Sequence, residues 1–305
     1  MACHHAPVTN APASQDRWAA AGTLAGLVVA SVLLVAKGAA WLATGSAVVL
    51  ASAADSGLDL LGSAVAFAAV RYAAVPADDD HRFGHHKAEA LSALFQAAVI
   101  AASAFFVAYE SGQRLAVPVP IERAGLAVWV LVGATALTIA LVAFQTLAVR
   151  RSASLVVEGD RAHYAGDVVA NVGGLVAIVL ADQAGLLRAD AVAGLAAAAF
   201  LLWSARQVGA RALPQLMDQE LPERDRARIA GLIQAHPQVL GHHDLRTRRA
   251  GRRAHVQVNL DMDPAMTLRE ADAIADLLEA RIMEAYPDAL VVIHQHAADD
   301  QLLGA

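Results

Sequence analysis

Two polar pairs fall inside apolar stretches. Asp55 and Asp59 stand four residues apart in a run from about residue 46 to 72. A helix would put both carboxylates on one face, one turn apart. His163 and Asp167 repeat that spacing at the head of another apolar run, near Tyr164 to Leu180. A carboxylate near the middle of a bilayer costs about 2.5–3.5 kcal/mol on insertion scales, so two on one face need a compensating partner. If the two faces meet, three carboxylates and one imidazole converge, a ligand set suited to a tetrahedral divalent cation such as Zn2+. Without the cation those carboxylates repel one another and take up protons, which metal binding must then release. The ordinary pKa of an imidazole, about 6.5, is close to cytoplasmic pH. Metal–proton exchange has its physical basis there. The competing reading is that the aspartates bond neighbouring helices, or that Asp59 faces a cytoplasmic vestibule.

Two further constellations carry metal-ligand chemistry. Between the second and third apolar runs lies Asp78-Asp79-Asp80-His81-Arg82-Phe83-Gly84-His85-His86-Lys87. His81, His85 and one aspartate could hold a metal, although Arg82 and Lys87 oppose a strong cation site. The same residues also read as a polar loop with charges at a helix start. Near the C-terminus, His242, His243, His294 and His296 recur, and a strand would point His294 and His296 to one face. Surface histidines without a ligand role are the alternative. Asp272 is ordinary for a helix surface by itself. Cys3, His4 and His5 could touch metal, but they sit in a polar tail that reads as disordered.

Something apolar must position these groups. The chain has 305 residues, 57% hydrophobic and 17% charged. Soluble domains average about 45–50% apolar and 25% charged, so this is a membrane protein with a soluble part. A net charge of −6 leaves no nucleic-acid footprint. The single cysteine excludes a disulfide within one chain and any cysteine-based zinc knuckle. The N-terminus lacks a basic segment before a short apolar one, so no cleaved signal peptide is expected.

Six stretches reach the length needed to span a bilayer: about 18–42, 46–72, 88–110, 124–149, 162–181 and 188–208. Thr44-Gly45-Ser46 and Asp182-Gln183-Ala184-Gly185 read as turns. Lys37, inside the first span, reads as a snorkelling or helix-packing lysine. Arg17, Arg71, Arg82, Lys87, Arg150, Arg151, Arg161, Arg206 and Arg211 gather on one side, and only Arg114, Arg123 and Arg188 on the other. That bias predicts cytoplasmic termini. After Leu213-Pro214 the composition turns soluble. Pro222 to His236 reads as an amphipathic helix, Leu240 to Thr247 as a strand, and Val256 to Met262 as a half-buried strand. Thr267 and Glu270 form a capping box opening a helix to about Tyr286, and Leu290 to His294 is a third strand. The order α-β-β-α-β implies a small α+β layer domain.

Several segments together resemble the cation diffusion facilitator family, in its bacterial zinc and ferrous-iron efflux pump type. They are TGSAVVLASAADSGLDLLGS, RYAAVPADDDHRFGHHKAEALSAL, HYAGDVVANVG, DLRTR from Asp244 and VVIHQ from Val291. The resemblance covers about Trp18 to His296. It implies a homodimer of six-helix protomers, each with a metallochaperone-like cytoplasmic domain, exporting a divalent metal against inward-moving protons. It implies a transport site of Asp55, Asp59, His163 and Asp167, of zinc and cadmium subgroup makeup, and a loop site of Asp78, His81 and His85. Lys87 and Asp218 would form a charge interlock at the dimer contact. In the cytoplasmic domain His243 and His294 match ligands. Asn259 and Asp272 replace histidines of the pattern, however, and His296 replaces an aspartate. The surviving candidates are His243, Asp272, His294 and His296, an altered and mononuclear or weaker site.

The expected architecture is a six-transmembrane-helix bundle over residues 18–209 and a cytoplasmic α+β domain over 210–297. Polar tails at 1–17 and 298–305 flank them. The expected function is proton-coupled efflux of divalent cations, Zn2+ first and Cd2+ or Fe2+ besides, from the cytoplasm of a bacterium across its inner membrane. Zn2+ would be substrate, and could also be bound as a structural or regulatory ion. Protons, membrane lipid and a second copy of the chain are the other partners; no organic cofactor and no nucleic acid are expected. An intramembrane metallohydrolase would want H-E-x-x-H or G-x-S-x-G, and neither occurs. A membrane-anchored metal sensor would not carry the aspartates inside the second span. The same fold transporting mainly Fe2+, Co2+ or Mn2+ is a closer rival, though an imidazole ligand disfavours Mn2+.

Overall fold

The computed structural model describes residues 13–44, 47–116, 125–184, 188–251, 253–287 and 289–298. Two compact units divide at Leu213 and Pro214. The first holds six long helices: α1 (Ala13–Thr44), α2 (Ala47–Ala73), α3 (Lys87–Ala116), α4 (Gly125–Ser152), α5 (Leu155–Ala184) and α6 (Ala189–Leu216). Each exceeds the roughly 20 residues that cross a bilayer. Among the described residues Gln15–Ala43, Lys87–Ala116, Val132–Ser152 and Ala191–Leu216 are apolar enough to do so by composition. The other two long helices, α2 and α5, carry Asp55, Asp59, His163 and Asp167.

Lipid gives apolar helices no reason to associate by burial, so small residues that allow close approach hold the bundle together. Ala19, Ala66, Val70, Ala148, Val156 and Val157 join α1, α2, α4 and α5. Ala93, Ala97, Ile100, Ala104, Ala162, Leu201 and Ala205 join α3, α5 and α6. Helix α5 belongs to both clusters. A Cβ at Gly22 would come within 2.8 Å of Val157 and 3.1 Å of Ala148. Leu24, Val28, Val32 and Val35 form an exposed apolar stripe along α1.

Helix α5 starts at Leu155, well before the predicted residue 162, and runs to Ala184, into the predicted turn. Glu158, Asp160 and Arg161 look like a loop in sequence, but two of them find partners from distant helices. Arg211 donates to Glu158 at 2.6 Å, and Asp160 is almost wholly buried among polar side chains. Residues 45 and 46, of the other predicted turn, lie outside the described residues, as do Cys3, His4 and His5.

The second unit contains α7 (Glu223–Gln234), β1 (Gly241–Ala250), β2 (Arg253–Met262), α8 (Leu268–Ala285) and β3 (Leu290–Ala297). This is the order the sequence predicts. Strands β1 and β2 pair antiparallel, with Gly251 in the left-handed region at φ 58° between them. Strand β3 pairs parallel to β2, which requires a crossover, supplied by α8. Val256, Val258, Leu260 and Met262 face Ile229, Ile233, Ile274, Leu278 and Ile282 in one core. Each fully buried aliphatic side chain there contributes about 1.5–3 kcal/mol. Both halves of the Thr267–Glu270 capping box are present. A bulge between His243 and Arg246, with Asp244 at φ 53°, changes the alternation of β1. Leu245 and Thr247 turn toward the core, and His243 stays on the open face.

Candidate metal-transport site

The facing sides of α2 and α5 bring Asp59, His163 and Asp167 together, with one donor atom from each lying within 4.8 Å of the others. His163 Nε2 is 2.8 Å from Asp59 Oδ1 and 3.9 Å from Asp167 Oδ2. With Asp59 ionised, Nε2 donates the proton of that shorter bond. Tetrahedral Zn2+ with bonds of 2.0–2.1 Å needs donors about 3.3 Å apart. The two distances bracket that value, so shifts of about half an ångström would complete three corners. Asp59 is buried, whereas His163 and Asp167 are partly open.

Asp55, one turn earlier on α2, is exposed and falls outside the trio. Three of the four expected ligands are therefore gathered. Lys37, on α1, donates to Ser56 Oγ at 2.8 Å, and its charge acts on Asp55 and Asp167. The bond to Ser56 joins α1 to α2, which is the helix-packing alternative of the sequence reading rather than snorkelling.

A second polar layer lies one turn along the same seam. Asp160 accepts from Ser63 Oγ at 3.0 Å and from Gln145 Nε2 at 2.6 Å, and Ser63 Oγ is 2.8 Å from the Tyr164 hydroxyl. All four side chains are buried. Ser63 follows Asp59 by four residues and Asp160 precedes His163 by three. Extending the helical spacing of the two pairs by one turn would have found them; starting the fifth span at residue 162 hid Asp160.

Between α2 and α3, donor atoms of Asp78, His81 and His85 also lie within 4.8 Å of one another. His85 Nε2 is 3.4 Å from Asp78 Oδ2. Its Nδ1 is 3.3 Å from the Val75 carbonyl, which can only accept. That contact places a proton on Nδ1 and turns Nε2 toward Asp78, the outer-shell arrangement of a histidine that binds metal through Nε2. The His81 backbone N–H donates to Asp78 at 2.6 Å and holds that carboxyl below the usual carboxylate range. Gly84, at φ 79°, turns the chain so that the His81 and His85 rings meet at a tilt of 44° with centroids 4.5 Å apart.

On the open face of the cytoplasmic sheet, the His243 and His296 ring centroids are 5.1 Å apart, and those of His294 and His296 are 4.6 Å apart. Register explains the cluster: His243 and His294 both pair with Asn259, from either side of β2. His296 pairs with Asp261, whose Oδ1 is 3.1 Å from His243 Nδ1. Sequence reasoning missed Asp261, since only the register puts it beside the histidines. Asp272 is exposed on α8, and α8 covers the opposite face of the sheet. A single chain therefore does not bring Asp272 to these histidines. His242 pairs with Leu260, away from the cluster. Asp218 pairs with Arg248 Nη1 at 3.0 Å.

Residues 23–217 match the cation efflux transmembrane domain, and residues 221–297 match the cytoplasmic domain of cation efflux proteins. The cation-efflux pump FieF of Shewanella oneidensis is 44% identical over 280 residues, covering 92% of this chain and 94% of its own. The FieF pump of Yersinia enterocolitica is 40% identical over 275 residues, 90% of this chain and 91% of its own. That of Yersinia pestis is 39% identical over 279 residues, 92% and 93% of the two chains. These relatives are transporters rather than enzymes. With both domains matched and the relatives aligned almost end to end, the chain belongs to the cation diffusion facilitator family, as a membrane-embedded cation efflux protein of the FieF-like type.

Proposed function

We propose that this protein exports divalent metal from the bacterial cytoplasm across the inner membrane in exchange for protons. Zn2+ is the first substrate, with Cd2+ and Fe2+ also carried. The observation behind this reading is the convergence of Asp59, His163 and Asp167 donor atoms within 4.8 Å on α2 and α5. Asp55, one turn away on α2, is the fourth ligand once an ion draws it in. One imidazole among carboxylates favours Zn2+ over the harder Mn2+.

The hydrogen bond from His163 Nε2 to Asp59 supports proton coupling. A metal at Nε2 leaves His163 as a neutral imidazole with its proton on Nδ1. From the doubly protonated ring, binding releases the Nε2 proton, and carboxylates protonated in the empty site release theirs as well. Reprotonation from the far side returns the empty site. Acidification on the metal-loading side weakens binding, and acidification on the releasing side promotes discharge.

The transporter works as a homodimer with both termini cytoplasmic, as the Lys and Arg distribution implies. Asp78, His81 and His85 bind metal beside the transport path. His243, His294 and His296 form a cytoplasmic site of lower capacity than a two-metal centre, and Lys87 and Asp218 interlock the dimer. Proteoliposomes with an imposed pH gradient test the transport reading, with Zn2+, Cd2+, Fe2+ and Mn2+ compared. Zn2+ flux that rises with the gradient and is accompanied by proton movement is the expected result. Gradient-independent flux, or preference for Mn2+, would exclude it.

A further inference from the structure

We infer that Asp160 is a positioning residue for metal binding, locking the α2–α5 register that aligns Asp59 with His163. The inference rests on the reading of Asp59, His163 and Asp167 as the transport site. Helices α2 and α5 are tied by two polar rungs. One is Asp59–His163 at 2.8 Å, and the other is Ser63–Asp160 at 3.0 Å. Ser63 stands one turn beyond Asp59 on α2, and Asp160 about one turn before His163 on α5. Two helices joined at one rung can slide or roll; joined at two, their relative height is fixed.

The second rung is anchored to the neighbouring helices as well. Asp160 accepts from Gln145 on α4 at 2.6 Å, and Gln145 reaches the Gly22 carbonyl on α1 at 3.4 Å. The Tyr164 hydroxyl, bonded to Ser63 at 2.8 Å, points to the Gly26 carbonyl at 3.5 Å. Four helices therefore meet at one carboxylate. Helix α1 comes close because Gly26 has no side chain: a Cβ there would overlap Asp160 Oδ2. Asp160 does not belong to the ligand trio, so its influence runs through geometry. The first rung must break when metal takes Nε2, and the second then holds the ligands in register.

The test uses full-length protein in detergent and in proteoliposomes. Zinc affinity is measured by calorimetry with His81, His85, His243, His294 and His296 replaced by alanine, and half-saturation and maximal rate by flux. Asp160→Ala should raise the zinc dissociation constant and the half-saturating concentration about tenfold to hundredfold, the range for outer-shell substitutions. Asp160→Asn should stay within about threefold of wild type, because it keeps an acceptor for Ser63 and offers an N–H to Gln145. The Gln145 Oε1 atom has no partner among the described residues. Gly26→Ala removes no polar group, yet it should reproduce the Asp160→Ala loss by crowding the carboxylate. A purely structural role would lower the folded fraction and the maximal rate and leave half-saturation of the folded dimer unchanged. Wild-type half-saturation in Asp160→Ala or in Gly26→Ala overturns the inference, as does a loss in Asp160→Asn equal to that in Asp160→Ala. Asp59→Ala is the control: if it too binds zinc normally, the transport-site reading itself fails.

Discussion

Replacing Asp59 by alanine and by asparagine separates its two roles. Its Oδ1 accepts the His163 Nε2 proton at 2.8 Å. Alanine leaves both ring nitrogens without a protein partner, since Nδ1 already lacks one among the described residues. Stranding a buried polar group costs about 1–3 kcal/mol. The His163 side chain is 17% exposed, so water reaches it and the lower half of that range applies. Asparagine keeps an acceptor of the same shape, so Asp59→Asn should melt close to wild type. Metal binding responds differently, because both variants lose an anionic ligand. Outer-shell changes alone cost 10–100-fold in affinity, so losing a ligand should cost at least about 100-fold. The assay is thermal unfolding against Zn2+ after the loop and cytoplasmic histidines are replaced. At zinc equal to 100 times the wild-type dissociation constant, the wild-type transport site gains about 2.7 kcal/mol. A site 100-fold weaker gains only about 0.4 kcal/mol. Asp59→Asn should therefore match wild type without zinc and lose most of the zinc-dependent rise. Retention of the full rise would show that the Asp59 charge does not bind the ion.

Charge reversal at Lys87 or at Asp218 should weaken the dimer, and reversal of both should partly restore it in sedimentation. Arg248, which bonds Asp218, needs its own neutral substitution as a control; no coupling in the double-mutant cycle removes the interlock. Calorimetry on residues 210–305 should find fewer or weaker zinc ions than a two-metal centre, because Asn259 lies between His243 and His294; two tight ions would contradict this. His81→Ala and His85→Ala should each change metal binding or rate modestly and leave transport in place. Complete loss in a folded protein would put the loop on the path. Thr267→Ala should destabilise the cytoplasmic domain by about 1 kcal/mol in thermal melts. Glu270 is held below the usual carboxylate range by the Thr267 hydroxyl and then by its amide. The contribution of Glu270 is therefore complete above the unfolded glutamate pKa and disappears as pH falls through the lower folded value. A Thr267→Ala effect equally large at acid pH, where Glu270 is protonated, would show the reciprocal bond contributes nothing.

The sequence makes the cytoplasmic domain legible because its signals are local. Alternation from Val256 to Met262 marks a strand with one buried face, and Thr267 with Glu270 marks a helix start. The proposed transport site is legible for a different reason. Asp55, Asp59, His163 and Asp167 are costly in an apolar run, and their four-residue spacing names a face. Less accessible is what depends on distant partners. Asp160 reads as part of a polar loop until Ser63, 97 positions away, is placed against it. Asp261 looks like a solvent-facing strand residue until the pairing of β1, β2 and β3 sets it beside His243 and His296. Nor does spacing alone say that Asp59 turns into the seam while Asp55 stays exposed, because that depends on how α2 is rotated against α5.

Zinc flux through a protein reduced to its membrane site tests the central claim most directly. His81, His85, His243, His294 and His296 are all replaced by alanine, and the dimer is reconstituted into vesicles under a pH gradient. Zinc should still cross with protons moving the other way, and adding His163→Ala should abolish both movements without loss of the folded dimer. Flux that persists after His163→Ala, or that vanishes before it, would contradict the assignment of Asp55, Asp59, His163 and Asp167 as the transported ion's site.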